Sequence, residues 1–226
     1  MANVKGQIGQ FSRSTGSDGD FKYLRLLRDG SLSVAGFLMA SIMEGRGHMI
    51  TVGAFSTGVV GGGNGTVLDA DQPEFIVSVP SGTSIMPIRI HAQVQTGAPA
   101  DAEEVEILYA ADQDQAMASA GTSTSETIYN LNTLKGSASA CTAISAATVD
   151  TTSPTLDIEL ARKVIEYDVV TSGTLGMDVS LLYEPKCPII LNGPAMLIGY
   201  WGGDTATVGG FAQVQWLEFP TTFFAT

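Results

Sequence analysis

The side chains of this chain best able to do chemistry are carboxylates, and they fall into three groups: Asp69, Asp71 and Glu74; Asp101, Glu103, Glu104 and Glu106; Asp112 and Asp114. Paired acids serve glycoside hydrolysis, and clustered ones supply hard oxygen ligands to calcium. Position argues against both uses. Asp101 to Glu106 lies where a loop enters a strand, and acids placed there ordinarily keep a surface soluble and an edge unpaired. The expectation is surface acids, with no catalytic residue, no metal site and no cofactor.

The other reactive residue types are sparse. His48 and His91 are too far apart in sequence to read as a metal-binding pair with a carboxylate, and each is expected to be an ordinary surface or half-buried side chain. No Gly-x-Ser-x-Gly elbow and no zinc-ligand spacing occurs; a Ser/His/Asp triad is recognised by geometry, and nothing in the sequence points to one. The glycine-rich run from Gly58 to Gly65 lacks the Gly-Lys-Ser/Thr of a phosphate cradle and reads as a flexible loop. Cys141 and Cys187 have no CxxC spacing, so two buried thiols are expected, with one disulfide as the alternative. Tyr200, Trp201 and Trp216 would suit stacking on a sugar. Trp216, however, alternates with Val214, which favours core packing.

Composition narrows the function classes. Only 15% of the 226 residues are charged, against about 25% in an average soluble domain. Residues 1–46 carry six basic and four acidic side chains, a net of +2, which leaves −14 of the total −12 to the remaining 180 residues. Such a body repels polyanions, so nucleic acid is excluded as a partner. The first twenty residues hold no apolar core of a signal peptide, and no run reaches the roughly twenty apolar residues of a membrane span. No membrane partner is expected, and synthesis is expected in a cytoplasm.

These residues must be positioned by strands. Phe211, Gln213, Gln215 and Leu217 alternate with Ala212, Val214, Trp216 and Glu218, a strand with two different faces that fits a sandwich near a sheet edge. It closes the stretch from Cys187 to Pro220, which holds three apolar runs cut by Gly, Pro or Asn-Gly. Glu74 to Val79, Ile85 to Gln95, Glu103 to Ala110, Lys163 to Val170 and Val179 to Tyr183 supply further strands. Residues 111–154, rich in Ser, Thr and Ala, read as a surface excursion with hairpins of its own. About eight strands without βα units predict an all-β chain, an antiparallel jelly-roll β-sandwich over 67–226; an immunoglobulin-like sandwich is the alternative. Residues 1–66 read as an extended N-terminal arm with an Asp29-Gly30 hairpin and a short helix within 34–46.

The segment Asp71-Gln-Pro-Glu-Phe to Val79-Pro-Ser-Gly-Thr83, the ending Phe211-Ala-Gln-Val-Gln-Trp-Leu-Glu-Phe-Pro220 and the Arg28-Asp29-Gly30 hairpin resemble small jelly-roll virion proteins of tailed bacteriophages. The resemblance implies a non-enzymatic capsid cement or decoration protein, commonly a homotrimer, bound to the major capsid protein at the capsid surface of the virion. The arm would then dock the partner through Arg25, Arg28, Phe37, Leu38, Met39, Ile42, Met43 and Arg46. A carbohydrate- or receptor-binding sandwich on a virion or cell surface is the alternative reading.

Overall fold

The structure, a computed structural model, describes residues 6–7, 21–22, 36–62, 68–96, 103–115, 121–134, 136–148, 154–167, 178–204 and 208–224. The elements are β1 (Gly6–Gln7), β2 (Phe21–Lys22), α1 (Phe37–Met43), β3 (Gly47–Val52), β4 (Val59–Val60), β5 (Phe75–Val79), β6 (Thr83–Thr96), β7 (Glu103–Asp112), β8 (Thr124–Ser125), β9 (Tyr129–Asn130), β10 (Thr142–Ser145), β11 (Ile158–Tyr167), β12 (Asp178–Tyr183), β13 (Leu191–Asn192), β14 (Ala195–Gly203) and β15 (Val208–Pro220). The expected Asp29-Gly30 hairpin lies outside the described residues, as do Arg25 and Arg28.

Two antiparallel sheets pack as a sandwich. The first runs β11-β7-β14-β5-β10-β8 and the second β12-β6-β15-β3-β9, with β13 pairing β6 and β4 pairing β15. Four long antiparallel pairs are nested in the chain: β7 with β11, β6 with β12, β5 with β14 and β3 with β15. Successive pairs alternate between sheets, as in one long ribbon rolled up, and the roll is closed by β14 against β7 and β15 against β6.

The core lies between the sheets because each strand turns alternate residues inward. Ile50 and Val52, Ile90, Ala92 and Val94, Val105, Ile107 and Tyr109, and Val214 and Trp216 are all buried there. Phe75 packs at 6.3 Å from Tyr109 and 6.5 Å from Trp201 between ring centroids. A side chain at Gly199 would collide with the Phe75 ring, so the ring takes this place only opposite a glycine. A second apolar cluster on the outer side of the first sheet gathers Ile76, Leu108, Ala110, Met196, Ile198 and Tyr200, with Leu68 against it.

Several expectations are corrected by this architecture. β15 is central, flanked by β6 on one side and by β3 and β4 on the other, not near an edge. β3 and β4, placed in the arm by sequence, are strands of the second sheet, so residues 47–60 belong to the sandwich. Val59–Val60 is a strand within the glycine-rich run read as loop. In the described parts of 111–154, β8 pairs β10 within the segment as expected, but β10 also pairs β5 and β9 pairs β3, so the segment widens both sheets. Cys187 is exposed and Cys141 buried, both free thiols, so the expectation of two buried thiols holds only for Cys141.

Candidate functional site

α1 sits on the outer side of the second sheet. Its seven residues, Phe-Leu-Met-Ala-Ser-Ile-Met, carry no charge, and a helix this short does not hold itself together in water. It is fixed at both ends instead. Phe37 stacks on Phe219 of β15 at 5.8 Å. A Cβ at Gly47 would meet Ile42 Cγ1 and Leu131 Cδ1 at 3.0 Å, so the helix rests on the one residue type that admits it.

The helix ends in a Schellman arrangement. Arg46 N–H donates to Ser41 O, Gly45 N–H donates to Ile42 O, and Gly45 takes φ +81°. Side chains from β9 and just after it hold this end: Asn132 Nδ2 donates to Met43 O at 3.0 Å and Asn130 Nδ2 to Gly45 O at 2.6 Å.

Docked this way, α1 presents an apolar face to solvent. Leu38 is 47% exposed, Met39 57% and Met43 52%, and Phe37 shows its outer side at 46%. Of the remaining residues expected to dock a partner, Ile42 is half-buried against the sheet. Arg46 is also half-buried, paired to Glu44 at 2.9 Å and lying over the rings of Phe219 and Phe223 at 5.4 and 5.7 Å. Phe219, Phe223 and Phe224 pack mutually at 4.7 to 5.2 Å, and this aromatic block supports the guanidinium. The structure thus brings Phe37, Leu38, Met39, Met43 and Arg46 to one end of the second sheet. Ile42 serves as the helix's anchor.

Beside this face is a cleft of about 250 Å³ lined by Arg46, His48, Thr83, Ser137, Glu218 and Pro220, among others. His48 is buried, not at the surface or half-buried as expected, because its ring stacks on Trp216 at 6.0 Å. Burial lowers its basicity, against the opposing pull of Glu218, whose Oε2 is 3.9 Å from His48 Nε2. Glu218 accepts from Ser139 Oγ at 2.6 Å and from the Ala140 N–H at 2.9 Å. The Ser139 hydroxyl is thereby committed to a carboxylate with no imidazole between them, which is not triad geometry. Burial pushes the Cys141 thiol well above its ordinary value, and Glu218 adds to the shift, so Cys141 is held as the thiol and not the nucleophilic thiolate. His91 is half-buried on β6.

The carboxylate groups are corrected most. Glu74, Glu106 and Asp112 are buried, each for a local reason. Glu74 accepts the backbone N–H groups of Gly62 and Trp201. Glu106 is paired with Arg162 of β11; burial still raises its pKa, with Arg162 opposing. Asp112 closes the end of β7 by accepting from the Thr155 N–H at 2.8 Å and from the Asp114 N–H at 3.1 Å. Asp71 and Asp114 are exposed, as expected, while Asp101 and the side chain of Glu103 lie outside the described residues. The acids work as structural acceptors. Among the described residues no three His, Cys, Asp or Glu side chains gather as a metal set.

Tyr200 and Trp201, considered for sugar stacking, are buried with Trp216. Trp201 Nε1 donates to Val59 O at 3.1 Å and Tyr200 Oη to Ala70 O at 3.0 Å, so neither ring offers a platform. No described helix is long and apolar enough to cross a membrane. Comparison of the chain with protein-family models, with curated proteins and with solved structures finds no match.

Proposed function

We propose that this chain is a non-enzymatic structural protein of a phage particle, a cement or decoration protein that binds the major capsid shell through the exposed face of α1. The observation that carries the reading is that face: an uncharged helix with Leu38, Met39 and Met43 turned outward, held on a sandwich whose chain carries a net charge of −12. An apolar patch clamped in place by Phe37 on Phe219 and by Ile42 on Gly47 is built for contact with protein. The acidic body suits a position outside the shell, away from packaged DNA.

The fold is read as a jelly roll. Supporting this, the eight long strands β3, β5, β6, β7, β11, β12, β14 and β15 form two four-stranded cores, β3-β15-β6-β12 and β5-β14-β7-β11, which is the order of a ribbon rolled into two Greek keys.

The test is co-sedimentation of the purified chain with capsid shells assembled from the major capsid protein. Wild type sediments with the shells, and Leu38→Asp/Met39→Asp stays in the supernatant while unfolding at the wild-type temperature. Equal binding by the two proteins would remove α1 from the interface, and no binding by either would remove the shell.

A further inference from the structure

β11 forms the outer strand of the first sheet. Its described partner is β7, and among the described residues no strand is hydrogen-bonded to its other edge. It spans ten residues, Ile-Glu-Leu-Ala-Arg-Lys-Val-Ile-Glu-Tyr, without proline. Natural sheets usually blunt such an edge with a bulge or with lysine. The irregularity here lies at the start, between Glu159 and Ala161, and Lys163 is tied back into its own sandwich by donating Nζ to Ser180 O at 2.9 Å. From Ala161 to Glu166 the strand is regular, and among the described residues its outer edge is unpaired.

Over that stretch Ala161 and Ile165 turn toward the core, and Arg162, Val164 and Glu166 are exposed on the outer side. Two identical strands paired antiparallel about a twofold axis must place some residue opposite its own copy, because directly opposite side chains share a face. With Val164 on the axis, Val164 meets the partner's Val164, Arg162 meets the partner's Glu166, and Glu166 meets the partner's Arg162. The pattern Arg-x-Val-x-Glu is its own complement.

The monomer leaves these groups ready for such a contact. Glu166 stands directly opposite Glu104 of β7, a like-charge pair, and no ion pair among the described residues neutralises it. Arg162 donates Nη1 to Glu106 and Nε to Glu159, with Nη2 in ion-pair contact with the same Glu159 oxygen, which leaves guanidinium N–H groups for a further acceptor. Val164 is a 45% exposed apolar side chain between two charges on a sheet edge.

We propose that β11 pairs antiparallel with β11 of a second copy of this chain, about a twofold axis at Val164, so that the first sheet continues across two molecules. The contact is twofold, distinct from the threefold assembly that the family resemblance implies, and it uses a surface separate from α1. It does not rest on the shell-binding reading.

Sedimentation equilibrium of the full chain, followed by cross-linking, tests this. Wild type is expected to form a dimer of the 23.6 kDa chain. Glu166→Arg reverses two symmetry-related pairs at once and raises the dimer dissociation constant about tenfold or more. Glu166 is exposed and faces Glu104, so the folded monomer tolerates this change. With the exposed Cys187 replaced by Ser, Val164→Cys oxidises to a disulfide-linked dimer, because opposed Cα atoms lie within disulfide reach. Glu159→Cys in the same background does not cross-link. A wild type that stays monomeric across the micromolar range overturns the proposal. So does a dimer that is indifferent to Glu166→Arg, or one that fails to cross-link through position 164.

Discussion

Glu74 Oε2 accepts the backbone N–H of Trp201 at 2.8 Å, and its Oε1 accepts the N–H of Gly62 at 2.6 Å, so one buried carboxyl joins β14 to the segment after β4. The side chain is lost from water almost completely, and that desolvation outweighs the two N–H donors and raises its pKa to about 8. A carboxyl whose folded value lies above its unfolded one binds more protons in the native state. Between the unfolded value near 4.5 and the folded value near 8, stability therefore falls as pH rises.

Glu74→Gln removes this titration. Across that pH window wild type is expected to lose stability relative to Glu74→Gln, by up to the order of 4 kcal/mol if the whole shift is expressed. Urea midpoints of both proteins measured from about pH 5 to about pH 8 check it, since the other acids titrate equally in both. A constant difference between them would show that Glu74 does not titrate in that window.

Asp112 and Asp114 are two residues apart and differ in kind. Asp112 is fully buried and holds the Thr155 N–H and hydroxyl, at 2.8 and 3.2 Å, against the end of β7. Removing it deletes the carboxylate that accepts these hydrogen bonds, which costs about 1–3 kcal/mol. Asp112→Ala is expected to destabilise by about that amount, and Asp114→Ala by less than about 0.5 kcal/mol. Thermal unfolding of the two variants separates them.

The contrast between these two acids marks what was legible in the sequence. Period-two alternation in Ile88 to Gln95 and in Phe211 to Trp216 placed strands correctly, because burial between two sheets imposes that period directly. The same signal is local, so it could not say that β15 is central or that β10 returns to pair β5; those depend on partners distant in sequence. Burial of Glu74, Glu106 and Asp112 was hidden for the same reason. Each is buried only because Trp201, Arg162 or Thr155 arrives from elsewhere with a donor. α1 was legible as a helix with Phe37, Leu38 and Ile42 at helical spacing. Which of these would face solvent depended on Gly47 and Phe219, which no helical pattern contains.

Removing the Phe37 ring tests how α1 is held. Because the seven-residue helix has little stability of its own, losing the stack on Phe219 melts it in place. Phe37 is itself half in solvent, so Phe37→Ala should cost only about 1 kcal/mol or a little more globally, near the value of one aromatic pair. Amide exchange across residues 38–43 is expected to accelerate markedly while exchange in β6 and β15 is unchanged. Uniform acceleration everywhere would mean that α1 and the sandwich open as one unit.

The two tryptophans give a matched comparison. Both are buried in the same core cluster, yet Trp201 Nε1 donates to Val59 O at 3.1 Å while Trp216 Nε1 has no acceptor among the described residues. Replacing Trp201 by Phe removes the donor and leaves the Val59 carbonyl of the two-residue β4 without it. Replacing Trp216 by Phe removes a group that was desolvated without return. Both changes open a cavity of similar size, so that part cancels in the difference. Trp201→Phe should therefore be less stable than Trp216→Phe by about 1–2 kcal/mol in urea unfolding, with faster amide exchange at β4 in the former alone. Equal losses would place an acceptor, protein or water, at Trp216 Nε1.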